Sequence, residues 1–155
     1  VYMNGADRKV IESPDTKLAR LWKRYPDHDF TTTDAGDGDK VEAAGLDFEA
    51  IATPGHTPGG LCWLVRDEKL MFTGDTLFAG AIGRTDLKYG EYDDEIRSIM
   101  EKLMLLDGDI RIFPGHGPSS SIADERTGNP FLEPFNEPEE EADPDQPPII
   151  IRPDA

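Results

Sequence analysis

Three residues in this chain have the type and setting of metal ligands: His56, Asp75 and His116. Each stands in a glycine-bearing turn behind a strand-like run. The turns read Thr53-Pro54-Gly55-His56-Thr57-Pro58-Gly59-Gly60, Thr73-Gly74-Asp75-Thr76-Leu77-Phe78 and Pro114-Gly115-His116-Gly117-Pro118. A neutral imidazole is the commonest nitrogen ligand for zinc, and a carboxylate holds one ion or bridges two. Their wide separation excludes a local clip of the zinc-finger kind. Such a site is assembled by tertiary structure, one ligand from each of three loops. Glycine supplies backbone conformations that a metal loop often needs. Spacing and composition alone fit ordinary turns equally well. The remaining histidine, His28, lies in the polar run Asp27-His28-Asp29 and reads as a surface residue.

The elements around these turns follow from the hydrophobic pattern. Val1-Tyr2-Met3 is the stub of a strand. Ser13-Pro14-Asp15 opens a helix, with a capping hydroxyl, Pro in the first turn and an acid behind it. Leu18, Leu21 and Trp22 keep helical spacing, and Pro26 ends the run. Residues Asp27 to Asp39 are polar and read as a loop. Lys40-Val41-Glu42-Ala43 is a short strand, and Leu46 to Ile51 alternates as a half-buried strand does. Leu61 to Val65 and Leu70-Met71-Phe72 predict a hairpin around Asp67-Glu68. Gly80 to Gly90 reads as a long loop. Glu91 to Leu106 is the strongest helix, with Ile96, Ile99, Met100 and Leu103 on one stripe. Ile110 to Phe113 is a strand leading into His116, and Ser121 to Arg126 a helical turn or two. The order predicts an α+β fold, a sheet with helices on one face. All three candidate ligands fall where strands end.

Bulk properties narrow the function. The chain has 155 residues, enough for one domain with a core. Its net charge of -16, from 32 acidic against 16 basic residues, argues against nucleic acid and anionic membrane surfaces as partners. The stretch from Glu133 to Asp145 carries acids and prolines with no basic residue. Residues 133–155 therefore read as a solvated, disordered tail after a domain at 1–132. The single Cys62 excludes an internal disulfide and reads as a small core residue. No apolar run is long enough for a membrane span and no signal peptide is visible, so a cytoplasmic location is expected. The chain starts at Val1 without an initiator Met and reads as cut at its N-terminus.

The three ordered motifs resemble the metallo-β-lactamase superfamily, and within it the small glyoxalase II-like (hydroxyacylglutathione hydrolase-like) hydrolases. Ala81-Ile82-Gly83-Arg84-Thr85-Asp86-Leu87, Glu125-Arg126 and Asn129-Pro130-Phe131 extend the likeness over about Val1 to Leu132. The resemblance implies an αββα sandwich, here mainly its C-terminal sheet-plus-helices half. It implies that His56 completes one metal site, that His116 belongs to a second, and that Asp75 bridges them. Two zinc ions, with iron or manganese as alternatives, would activate a water for attack on a thioester. Arg84 is the substrate-side candidate, through a fork onto a substrate carboxylate. An Arg84–Asp86 ion pair within the loop is the competing reading.

The family's His-x-His-x-Asp-His motif is absent. Without it each metal keeps two protein ligands, where zinc normally takes three or four. The isolated chain is therefore expected to be inactive. It is also expected to expose an apolar sheet face to be covered by the missing N-terminal half or a homodimer partner. Two other functions fit less well. One is an iron-dependent persulfide dioxygenase of the same superfamily, whose loop usually carries Cys and aromatic residues where Ile82 and Leu87 stand. The other is a non-catalytic half-fold that binds a partner.

Overall fold

The computed structural model describes residues 1–12 and 31–135. The helix expected from Ser13 to Pro26, His28 and the acidic stretch beyond Phe135 lie outside them. Six strands form the main sheet: β3 (Lys40–Ala43), β4 (Leu46–Ala52), β5 (Leu61–Val65), β6 (Leu70–Gly74), β9 (Arg111–Pro114) and β10 (Ser120–Ser121). Their spatial order is β10-β9-β6-β5-β4-β3. The predicted hairpin is present, with Leu64 opposite Met71 and Trp63 opposite Phe72. All neighbours are antiparallel except β6 and β9, which run parallel.

Alternation along the strands sorts side chains to two faces. Cys62, Leu64, Met71 and Ile112 are fully buried. They pack in one cluster with Ile96, Ile99, Leu103 and Ile122 from helical segments. Those segments are α2 (Tyr92–Ser98), its π-helical continuation (Ile99–Leu103) and α3 (Ile122–Gly128). The expected stripe thus buries as read, and the Met104 N–H bonds Ile99 O across the wider turn. Ser121 caps α3 by accepting the Asp124 N–H at 3.1 Å.

The opposite face of the sheet carries Val41, Phe48, Trp63 and Phe72, with Tyr2 beside them. Phe72 is 43% exposed. Phe48, Phe72 and Phe113 form a row with centroids 6.1 and 5.8 Å apart. The bare apolar face expected from the sequence is present among the described residues.

Several local readings need correction. Gly5–Glu12 forms a helix, α1, that the pattern did not announce; Asn4 Oδ1 accepts the Ala6 N–H at 2.9 Å and starts it. The polar loop before Asp39 contains β2 (Thr33–Asp34), paired in parallel with β1 (Tyr2–Met3). The loop from Gly80 contains β8 (Ala81–Ile82), which pairs with β7 (Leu77–Phe78). Two-residue strands carry no periodicity to read.

Glu125, Arg126 and Asn129 have structural work in this fold. Glu125 accepts the Gly80 N–H at 2.8 Å and the Asn129 amide at 2.8 Å, and Asn129 also reaches Ala81 O. Arg126 donates to Met104 O and Leu106 O at 2.7 Å, closing the end of the long helix. Glu125 and Asn129 thus hold the β7–β8 ribbon beside the candidate ligands.

Candidate metal centre

The three candidate ligands converge because β4, β6 and β9 end at one edge of the sheet. β4 and β6 flank β5 and run antiparallel to it, so they share a direction. β9 runs parallel to β6. His56 follows β4, Asp75 follows β6, and His116 follows β9. The pairing of β6 and β9 shifts between Phe72 and Gly74. That irregularity turns the chain immediately before Asp75. The Gly115 N–H then bonds Gly74 O at 2.7 Å and locks the two loops together. A Cβ on Gly115 would lie 2.6 Å from Asp75 Oδ1, so only glycine permits this approach.

The Asp75 carboxylate lies between the two imidazoles. His56 Nε2 is 3.7 Å from Oδ2, and His116 Nε2 is 3.7 Å from Oδ1. Two ligands on one tetrahedral ion, at metal–ligand distances of about 2.0–2.1 Å, lie roughly 3.4 Å apart. Each His–Asp pair is close to that separation, and the pairs use different oxygens. The donor set therefore fits two ions that share Asp75. It does not close a site alone: among the described residues no group of three or more His, Cys, Asp or Glu could hold one ion.

The two histidines are held differently. His56 Nδ1 is 2.8 Å from Arg84 O. A carbonyl only accepts, so Nδ1 carries the proton and Nε2 offers its lone pair towards Asp75. The His56 N–H bonds Glu95 Oε2 at 2.7 Å. Asp7 of α1 accepts from Thr57 Oγ1 at 2.8 Å and from the Gly59 N–H at 2.7 Å, clamping the rest of that loop. Beneath it, Thr53 Oγ1 meets Thr76 Oγ1 and Cys62 Sγ. By contrast the His116 ring stacks on Phe78, with centroids 4.6 Å apart. Its side chain is 75% exposed.

Electrostatics follow burial. Glu95 is pushed up to about 8, because burial penalises its charged form more than the His56 and Gly83 amides favour it. Cys62 is pushed up to about 11 by burial, against weaker help from the Thr53 and Thr76 hydroxyls.

A pocket at the edge is lined by His56, Asp75 and His116 with Phe78, Ala79, Ala81, Ile82, Arg84, Gly117 and Pro118. Its walls are mainly apolar. Arg84 forks onto Asp86 with contacts of 2.8 and 2.9 Å. The structure thus forms the intraloop ion pair. The pair raises the Arg84 guanidinium and lowers the Asp86 carboxyl, chiefly through their hydrogen bonds. Both side chains are mostly exposed, so the pair adds little stability. Asp7 and Glu95 were invisible as site residues in the sequence. Glu95 had one signal: it stands one turn before Ile99 on the buried stripe.

Comparison with known proteins supplies the context for this geometry. The model of the metallo-beta-lactamase superfamily matches residues 2–116. The hydroxyacylglutathione hydrolase GloC of Haemophilus influenzae is 45% identical over 96 residues, 62% of this chain and 45% of that protein. The mitochondrial persulfide dioxygenase ETHE1 of Homo sapiens is 38% identical over 100 residues, 62% of this chain and 39% of that protein. A solved structure, TTHA1623 in a di-iron-bound form, matches with a TM-score of 0.70 at 27% identity, covering 85% of this chain and 64% of that one. The chain spans less than half the length of these two curated relatives.

Proposed function

The chain belongs to the metallo-beta-lactamase superfamily and has its α+β fold, and we propose that its site serves hydrolysis of a thioester of the hydroxyacylglutathione class. One observation carries the reading: a single carboxylate, Asp75, presents one oxygen to His56 and the other to His116, each at 3.7 Å. In this reading His56 and Asp75 hold one divalent ion, and His116 and Asp75 a second. Zinc is the proposed ion. Such ions supply an acidified water and a Lewis acid for the thioester carbonyl. The further ligands they need are assigned to a His-x-His-x-Asp-His segment, which the sequence does not contain.

The residues of this chain have three further tasks. His56 is kept in one tautomer by Arg84 O, so that Nε2 is the free nitrogen. Phe78, Ala81, Ile82 and Pro118 make an apolar wall that limits water around the acyl group. Arg84 stands at the rim, where its charge is committed to Asp86. That pairing favours a substrate whose rim-facing portion does not depend on a free guanidinium. The identity to GloC supports the thioester class.

A second reading, an iron-dependent persulfide dioxygenase, draws support from the identity to ETHE1. Ile82 and Leu87 replace the Cys and aromatic residues expected of it. One experiment separates the two. A protein carrying this segment with a complete ligand set is purified without chelators, its metals are measured by elemental mass spectrometry, and it is offered a hydroxyacylglutathione and a glutathione persulfide. Two zincs with chelator-sensitive thiol release are expected. One iron with oxygen consumption on the persulfide would replace the first reading with the second. The 155-residue chain alone is expected to release no thiol.

A further inference from the structure

We propose that Glu95 is the positioning residue of the His56 loop: its buried carboxylate fixes the His56 main chain against the Gly83–Arg84 turn, so that the ring faces Asp75. The inference rests on the metal role of His56 proposed above. Glu95 has no exposed surface. A buried carboxylate costs stability unless its oxygens are used. Oε2 accepts the His56 N–H at 2.7 Å, while Oε1 faces the Gly83 main chain, whose N–H is directed at Thr76 O instead. An apolar side chain would fill this position at lower cost. Packing therefore does not account for a carboxylate here, whereas holding the His56 N–H does.

The surroundings leave no play in the arrangement. A Cβ on Gly83 would come within 2.0 Å of Asp75 O, 2.4 Å of Glu95 Oε1 and 3.1 Å of His56 Cβ. These four residues therefore meet at one point with no room for a methyl group. The Gly83 N–H bonds Thr76 O at 2.9 Å, tying the turn to the loop after Asp75. The next residue, Arg84, presents its carbonyl to His56 Nδ1 at 2.8 Å. His56 is thus gripped twice, at its main chain by Glu95 and at its ring by Arg84. Because Glu95 belongs to α2, the grip links the site to the packed core rather than to another loop.

The test uses Glu95→Gln, Glu95→Asp and Glu95→Ala in the complete protein, with Leu103→Ala as a control two turns along the same helix. Zinc affinity is read by competition with a chromogenic chelator, and ligand geometry by the visible spectrum of the cobalt-loaded protein. Glu95→Gln keeps an oxygen for the His56 N–H and should keep affinity and spectrum. Glu95→Ala should lose about 10- to 100-fold in affinity and change the cobalt bands. Leu103→Ala should lower the melting temperature and leave both readouts unmoved. Wild-type affinity with an unchanged spectrum in Glu95→Ala would overturn the proposal. If Glu95→Ala does not fold, Glu95→Asp decides: it keeps a carboxyl group but, one methylene shorter, withdraws the oxygen from the His56 N–H. Lost affinity in Glu95→Asp with affinity kept in Glu95→Gln supports the grip, and wild-type affinity in Glu95→Asp overturns the proposal. A wild type that binds no zinc refutes the metal reading instead. Long-range proton–nitrogen correlation on the His56 ring then still judges Glu95. A single Nδ1–H tautomer in wild type that becomes mixed in Glu95→Ala supports the grip; identical spectra reject it.

Discussion

His56 and His116 approach the same carboxylate at the same distance, but the protein treats them as opposites. His56 lies over a buried floor, with its ring, main chain and loop all hydrogen-bonded. His116 projects from a short turn, largely in solvent, with Phe78 against its ring. One half of the centre is preorganised, and the other is left to settle when a ligand arrives. Preorganisation matters because ordering a side chain at binding costs affinity. The His56 side should therefore bind metal more tightly, and the His116 side should be the one that empties.

The largest effect that could break this contrast comes from removing its shared member. On the proposed reading, Asp75→Ala in the complete protein takes a direct ligand from both sides. Loss of supporting residues around a metal costs about 10- to 100-fold, so loss of a shared ligand should exceed that. Metal content and thiol release should fall together, and retention of either by Asp75→Ala would defeat the bridging assignment. The next effect is the order of emptying. Each net hydrogen bond contributes about 1 kcal/mol, which is about fivefold in affinity, so the two sides should separate by about tenfold or more. A chelator titration should be biphasic, and His116→Ala should abolish the weaker phase alone. A single phase would mean that the two sides are equivalent. A smaller effect is expected at Phe78→Leu. An aromatic contact of about 0.5–1 kcal/mol predicts roughly threefold weaker binding on the His116 side, with no change in the tighter phase.

At neutral pH the smallest effect concerns the floor under His56. The Cys62 thiol is pushed from 9.0 up to about 11 by burial. In that window the folded chain keeps a proton that the unfolded chain releases. Stability should thus fall as pH rises from about 9 to 11, by up to about 3 kcal/mol. Cys62→Ala should be flatter than wild type across this range in denaturant titrations and indistinguishable in slope below it. Equal slopes would place the thiol in contact with water.

What the sequence reveals divides along the same line. The turns around His56, Asp75 and His116 are legible because their chemistry and backbone demands sit in adjacent residues. The hairpin at Leu61–Leu70 and the helix after Glu91 are legible because burial imposes a period. Asp7 and Glu95 are not, since each acts on a main-chain N–H far away in sequence, and any residue can supply that N–H. The parallel pairing of β6 with β9 is hidden likewise: it depends on how the intervening helix returns the chain. Residues Gly5–Glu12 escaped because the start signal at Asn4 is local and weaker than the Ser13-Pro14-Asp15 signal that follows.

The aromatic face of the sheet gives the molecule an optical handle. Trp63, one of two tryptophans in the chain, stands on that face edge-on to Tyr2, 6.3 Å between centroids. Its indole borders the open groove formed with Phe48 and Phe72. Water in that groove keeps indole emission at long wavelength, and a surface that displaces the water shifts it to the blue. With Trp22 replaced by Phe, the emission of Trp63 would therefore record whether this face is wet or covered, separately from events at the candidate ligands.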